Sequence, residues 1–268
     1  MNYKLWTRYE PIMVKIVIKT QSPQVIVVKV FDPTQANTYF TDREKTIDGR
    51  EELYVRMPLS PYSTALSIYN KANGNQSKGV DKSFEVEDIK KEDLEITLPK
   101  TRMDNSLVRN FVAFAQKFCY NAGWIGAPKD YMSSVGGFKI EYLPYIKSNK
   151  TGEKMATPAR ISTKNGRIQV SQESFLPYTI PMRMAILLHE FSHYYLNSDI
   201  TNETEADLNG LTIYLGLGYP IREAYAAFGD TFIGYPSEQN KKRYDIINKF
   251  IRDYIDEYNI KDVYASGN

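Results

Sequence analysis

The 268-residue chain contains one cysteine, Cys119, and only two histidines. A lone thiol excludes an intrachain disulfide framework and a cysteine-rich metal site, and Cys119 reads as a small buried hydrophobe. No apolar run approaches the ~20 residues that a membrane span needs. Val25-Ile26-Val27-Val28 and Met184-Ala185-Ile186-Leu187-Leu188 are typical of the longest. The opening stretch Met1-Asn2-Tyr3-Lys4-Leu5-Trp6-Thr7-Arg8 has neither an apolar core nor a small-residue cleavage site, so it does not read as a secretory signal. The expectation is a cytoplasmic protein, or one that leaves a cell by another route, such as inside an assembled particle. Net charge is only +2, too little for strong non-specific binding to nucleic acid.

The rest of the composition is that of an ordinary globular protein. Hydrophobic residues make up 42% and charged residues 25%, which excludes disorder as the main state. A chain of this length buries most of its apolar surface, as one large domain or two modest ones. Aromatics are plentiful, with 21 tyrosines and 12 phenylalanines. They read as core and contact residues rather than as a carbohydrate or nucleic-acid platform.

The pattern predicts an α+β fold with a division near residue 100. Residues 1–100 read as a small β-sandwich, an accessory or interaction domain. Its strands are Met13–Lys19, Gln24–Phe31, Glu52–Met57, Thr64–Tyr69, Ser83–Val86 and Leu94–Leu98. The first two read as neighbours across a Ser22-Pro23 turn. Asp48-Gly49, Asn73-Gly74-Asn75 and Lys78-Gly79 read as turns. Past Pro99-Lys100, Asp104 or Asn105 can cap a helix over Ser106–Tyr120 that Gly123 ends. Phe138–Ile146 reads as a strand. Asn165-Gly166 signals a hairpin within Arg160–Val170.

From Pro181 onward the reading is helical. Met182–Leu196 is the first helix, with Pro181 suited to its first position. Asn202-Glu203-Thr204-Glu205 resembles a capping box and opens the next helix, which Gly216 and Gly218 end. Ile221–Phe228 is a short helix closed by Gly229. Ser237 caps a last helix to about Tyr258, with Ile246, Ile247, Phe250, Ile251, Tyr254 and Ile255 on one face.

The chemistry lies in His189-Glu190-Phe191-Ser192-His193, a His-Glu-x-x-His pattern inside a predicted helix. Residues four apart share a helix face, so both imidazoles can bind one Zn²⁺. Glu190 beside them can act as general base toward a water that the metal activates. Both histidines of the chain are used here. A third ligand must therefore be a carboxylate, and Asp199, Glu203, Glu205 and Asp207 compete. From Met184 to Gln239 the only basic side chain besides histidine is Arg222, against eight carboxylates, a neighbourhood suited to a cation.

His-Glu-x-x-His followed by Glu203-Thr204-Glu205-Ala206-Asp207, a Glu-x-x-Ala-Asp pattern, resembles the gluzincin-type zinc metallopeptidases. It is similar to the ImmA/IrrE-like peptidases and to the HtpX and CAAX-endopeptidase group. The lack of membrane spans argues against the second group. The resemblance covers roughly Asn105 to Phe228. It implies a zincin-like domain over 101–268, with a mixed sheet, the motif helix and C-terminal helices. It also implies Glu203 as third zinc ligand and Asp207 as support for a ligand. An edge strand at about Arg167–Ser171 would bind an extended peptide. Gluzincins of the thermolysin kind use a further histidine or tyrosine at the transition state. Here Tyr178, Tyr219, Tyr235 and Arg222 are candidates.

The expected function is a zinc-dependent endopeptidase acting on a peptide or protein substrate. The alternative is a structural or assembly protein with a zincin-like domain, a homo-oligomer or one whose N-terminal domain binds partners. The richness in Asn, Lys and Tyr, as in Thr64–Gly74, is similar to virion proteins of tailed phages of low-GC hosts, crAss-like phages among them. In that case the protein is virion-associated.

Overall fold

The structure is a computed structural model and describes residues 1–74, 81–94, 96, 105–234 and 237–260. The expected strand Leu94–Leu98, the turn signals at Asn73-Gly74-Asn75 and Lys78-Gly79, the boundary at Pro99-Lys100, the cap at Asp104 and Tyr235 lie wholly or partly outside those residues.

The first part is all β. Its strands are β1 (Asn2–Trp6), β2 (Ile12–Thr20), β3 (Gln24–Phe31), β4 (Tyr39–Ile47), β5 (Arg50–Met57), β6 (Ser63–Asn70) and β7 (Phe84–Asp93). They form two antiparallel sheets, in the orders β1-β6-β3-β4 and β5-β2-β7. Alternating Val14, Ile16 and Ile18 of one sheet share a core with Ile26, Val28 and Val30 of the other, as period-2 apolar strands in a sandwich do. β2 and β3 are therefore not neighbours, contrary to the hairpin reading. The chain crosses between sheets at Ser22-Pro23, because each strand buries its own apolar side against the opposite sheet. Two strands of this part escaped the sequence reading. β1 alternates exposed and half-buried residues, and β4 carries Asp42, Arg43, Glu44 and Lys45. Neither shows an apolar run. Pairing along β6 and β3 decides them.

The remainder is α+β, with six helices among the described residues. Helix α1 (Ser106–Asn121) is capped by Asn105, whose side chain accepts from Leu107 N at 3.0 Å. Its last residue is followed by Ala122 in a right-handed conformation. Gly123 is thus not a left-handed terminator. A Cβ there would sit 2.1 Å from Asn37 O, so the glycine permits close approach of a loop from the first sheets.

Strands β8 (Lys129–Met132), β9 (Lys139–Leu143), β10 (Ala159–Ile161) and β11 (Ile168–Ser171) form a mixed sheet in the order β10-β11-β9-β8. β11 runs parallel to β9, and the other pairs are antiparallel. The hairpin at Asn165-Gly166 forms, with Gly166 left-handed at φ 67°. The edge strand is β10, however, and β11 lies inside the sheet. The expected edge at Arg167–Ser171 is corrected accordingly.

Five helices follow or flank this sheet: α2 (Gln172–Phe175), α3 (Ile180–Tyr195), α4 (Glu203–Gly216), α5 (Ile221–Gly234) and α6 (Glu238–Tyr258). α5 runs through Gly229 rather than ending there. A mid-helix glycine costs only about 1 kcal/mol, and Ala224, Ala227 and Phe228 anchor the helix in the core. On α6, Ile247, Ile251 and Tyr254 face inward, whereas Ile246 is exposed.

The packing does not break at residue 100, because one continuous apolar cluster draws on both parts. Arg183 of α3 is fully buried and donates to the carbonyls of Phe175, Cys119 and Asn37 at 3.0, 2.9 and 3.0 Å. Glu223 of α5 is buried against Arg43 of β4 at 2.9 Å and accepts from Thr179 Oγ1 at 2.6 Å.

Candidate metal centre

Helix α3 starts where Thr179 caps it and Pro181 stiffens its first turn. Met184 to Leu188 are all buried, which fixes the rotation of the helix. That rotation turns His189 and His193, one turn apart, toward the same cleft. Their Nε2 atoms lie 3.1 Å apart. Asn202 caps α4 by accepting from Glu205 N at 3.0 Å, and this places Glu203 on the first turn. Glu203 Oε2 is 3.5 Å from His189 Nε2, and Oε1 is 3.6 Å from His193 Nε2.

His189, His193 and Glu203 thus form a group that could hold a metal ion, each with one ligand atom within 4.8 Å of the others. The donor set also fits zinc. Ligand atoms at 2.0–2.1 Å in tetrahedral array are separated by roughly 3.3 Å, and the observed distances bracket that value. Each outer ring nitrogen also faces an oxygen, and that of His193 meets hydrogen-bond geometry. His193 Nδ1 lies 2.9 Å from Ile200 O, and His189 Nδ1 lies 2.9 Å from Asp207 Oδ1. Both contacts favour a proton on Nδ1 and leave Nε2 to the metal.

The four competing carboxylates separate by position. Asp207 is fully buried behind His189. Asp199 Oδ1 accepts from Thr201 N and Oγ1 at 2.9 and 2.8 Å. Glu205 accepts from Ser198 N at 2.8 Å and Ser198 Oγ at 3.0 Å. Asp199 and Glu205 therefore shape the loop that delivers Glu203. The reciprocal half of the capping box is absent because Glu205 serves this loop.

The electrostatics follow from burial and proximity. The imidazoles of His189 and His193, 3.5 and 3.6 Å away, hold Glu203 well below the usual carboxylate range. Burial works against a charge on His189. Asp207 and Glu203 outweigh it, and the imidazole is pushed up to about 10 without a metal. Burial raises Glu190, which the two histidines and the Ile161 backbone N–H of β10 partly offset. Glu190 thus sits beside the histidines as a carboxylate with increased proton affinity.

Two sequence expectations are corrected here. Tyr219 is buried, stacked on Tyr214, and accepts from Gln116 at 3.3 Å. Neither it, Tyr178 nor Arg222 lines the cleft. The uniformly acidic neighbourhood is also revised: Glu223 turns away toward Arg43, and a cation enters from beyond Gln239. That cation is Arg243 of α6, missed in the sequence. Its Nη2 lies 3.1 Å from Glu203 Oε2, and it also holds Asp207. The available signal was helical spacing. Arg243 stands one turn before Ile247, on the same face as Ile251, where an unexplained charge requires a partner.

The cleft has a volume of about 420 Å³. β10 forms one wall, Ala227 and Phe228 of α5 form another, and His189, Glu190, His193 and Glu203 all line it. Comparison of the chain with known protein families, curated proteins and solved structures finds no match.

Proposed function

We propose that the protein is a zinc-dependent peptidase. The observation that carries this reading is the convergence of His189, His193 and Glu203, with Glu190 beside them, in a cleft walled by an edge strand. When bound, zinc supplies Lewis acidity toward a water and a peptide carbonyl. Glu190 takes the proton of the attacking water and passes it to the leaving amine. Asp207 orients His189, and Arg243 holds both Asp207 and Glu203 in place. The outer edge of β10 suits an extended peptide, which pairs as an added strand in place of the Glu190 contact to Ile161 N and lays its backbone across the site.

The test is zinc content by mass spectrometry, followed by peptide cleavage. Wild type should carry one zinc, and His193→Ala and Glu203→Ala should lose it. Glu190→Gln should keep the zinc and lose at least ~10²-fold in hydrolysis. Equal cleavage by Glu190→Gln sinks the mechanism.

A second reading, an assembly protein whose zinc site is structural, draws on one observation. Trp6, Tyr62 and Tyr9 form an exposed aromatic cluster with ring centroids 5.5 and 5.8 Å apart. Light scattering addresses it: a stable ring or particle favours assembly, and a monomer weighs against it.

A further inference from the structure

β10 is a partition between two clefts. On one side lies the metal cleft. On the other lies a second cavity of about 410 Å³, and the two share Arg160, Ile161 and Thr163 in their walls. The strand register assigns the faces. Ala159 and Ile161 lie opposite Val170 and Ile168, and the partners of those residues on β9 are Tyr142 and Ile140. This is the face that enters the core. Arg160 pairs with Gln169, and Gln169 with Glu141, so these three polar residues lie side by side on the outer face.

The charges in that second cavity do not balance. Arg160, Lys164 and Arg167 line it against a single carboxylate, Glu141. Glu141 is already committed, since it pairs with Arg167 and accepts from Gln169 Nε2 at 2.8 Å. Among the described residues Arg160 is held only by neutral acceptors: Gln169 Oε1 at 2.7 Å, Asn149 Oδ1 at 3.1 Å and Met155 Sδ at 3.3 Å. These contacts fix the guanidinium plane without neutralising it. A guanidinium has five N–H donors, so some remain for a ligand.

We infer that Arg160 selects substrates with an acidic side chain beside the cleaved bond. The inference rests on the peptidase reading above and names its substrate class. A peptide added along β10 points successive side chains to opposite faces of the sheet. Side chains directed to the metal side meet Ile186, Ala227 and Phe228, an apolar wall. Those directed to the outer face meet Arg160 and Lys164. The two faces of one edge strand thus offer the substrate different chemistry.

The experiment uses zinc-loaded Glu190→Gln protein, which binds without cutting. Three fluorescent peptides alternate Thr with Glu, Gln or Lys, and fluorescence anisotropy reads their binding. The alternation lets either register place the test residues outward. The Glu peptide should bind roughly tenfold tighter than the Gln peptide, as befits a charge-assisted hydrogen bond, and the Lys peptide should bind weakest. Adding Arg160→Lys should keep this order, and adding Arg160→Glu should reverse it. A reversal also excludes direct capture of the peptide carboxylates by zinc. Equal affinity for all three peptides overturns the inference and leaves the peptidase reading standing. Failure of every peptide to bind the zinc-loaded protein overturns both.

Discussion

The Arg243 guanidinium grips the Asp207 carboxylate through two hydrogen bonds, Nε to Oδ2 at 2.8 Å and Nη2 to Oδ1 at 3.0 Å. Asp207 Oδ1 is in turn 2.9 Å from His189 Nδ1. Three helices are thereby tied into one relay, from α6 through α4 to the first histidine of α3. Breaking it at Arg243→Gln should weaken zinc binding by roughly 10- to 100-fold, the usual cost of losing a residue behind a ligand. Asp207→Asn should cost a similar amount. The double variant should cost little more than either alone, because both act through one unit. Competition with a chromophoric chelator measures all three.

Metal binding should release a proton. Without metal, His189 is raised to about 10 after burial, which lowers it, is outweighed by Asp207 and Glu203. It is therefore an imidazolium at neutral pH and must lose that proton to bind zinc. Titration calorimetry at pH 7.5 in two buffers of different ionisation enthalpy should show net proton release. The same shift affects the metal-free fold. A pKa raised on folding stabilises fully below the unfolded value near 6.5, and the contribution fades as pH rises through about 10. Chelated protein should therefore unfold at lower urea at pH 9.5 than at pH 7. A midpoint that rises over that range contradicts the assignment.

Gly210 of α4 packs against the helix that carries the histidines. A Cβ there would lie 3.0 Å from His189 N and 3.1 Å from Leu188 C. These are backbone atoms of α3 and cannot step aside. Gly210→Ala should push α4 away and cost about 1–3 kcal/mol. It should also spread Glu203 from His189 and lower zinc affinity, although it touches no ligand. Urea unfolding and chelator competition read the two effects separately.

Arg183 should be needed for the two parts of the chain to fold together. Arg183→Met removes a donor from the buried carbonyls of Cys119 and Phe175, the latter keeping Tyr178 N, and from the part-buried Asn37 carbonyl. A carbonyl left unpaired costs about 1–3 kcal/mol, so about 2 kcal/mol or more should disappear in urea unfolding. Residues 101–268 expressed alone should be insoluble or molten. A well-dispersed NMR spectrum from that fragment would contradict this.

Much of this structure is legible along the chain. β3 spans Gln24–Phe31 as its β-branched run indicates, and the caps at Asn105, Thr179, Asn202 and Ser237 follow helix-start chemistry. Thr179 is less legible, because Pro181 points to a helix start two residues later. The His189/His193 pair is equally local, since four-residue spacing on a helix is enough to align two side chains. β4 was not legible, because its charged residues pair across to β3 and form no apolar pattern of their own.

The chain alone establishes the pieces whose cause lies within one helical turn or one strand: the apolar faces, the caps, the two imidazoles and the adjacent Glu190. Tertiary packing decides everything that joins pieces far apart in sequence. It selects Glu203 over Asp199 and Glu205, places Asp207 behind His189, and brings in Arg243 from 36 residues beyond Asp207. It also makes β10, not β11, the edge that faces the metal cleft. The physical reason is range. Backbone propensity and side-chain periodicity act over a few residues, whereas the partner of a buried charge is whichever group the folded core places beside it.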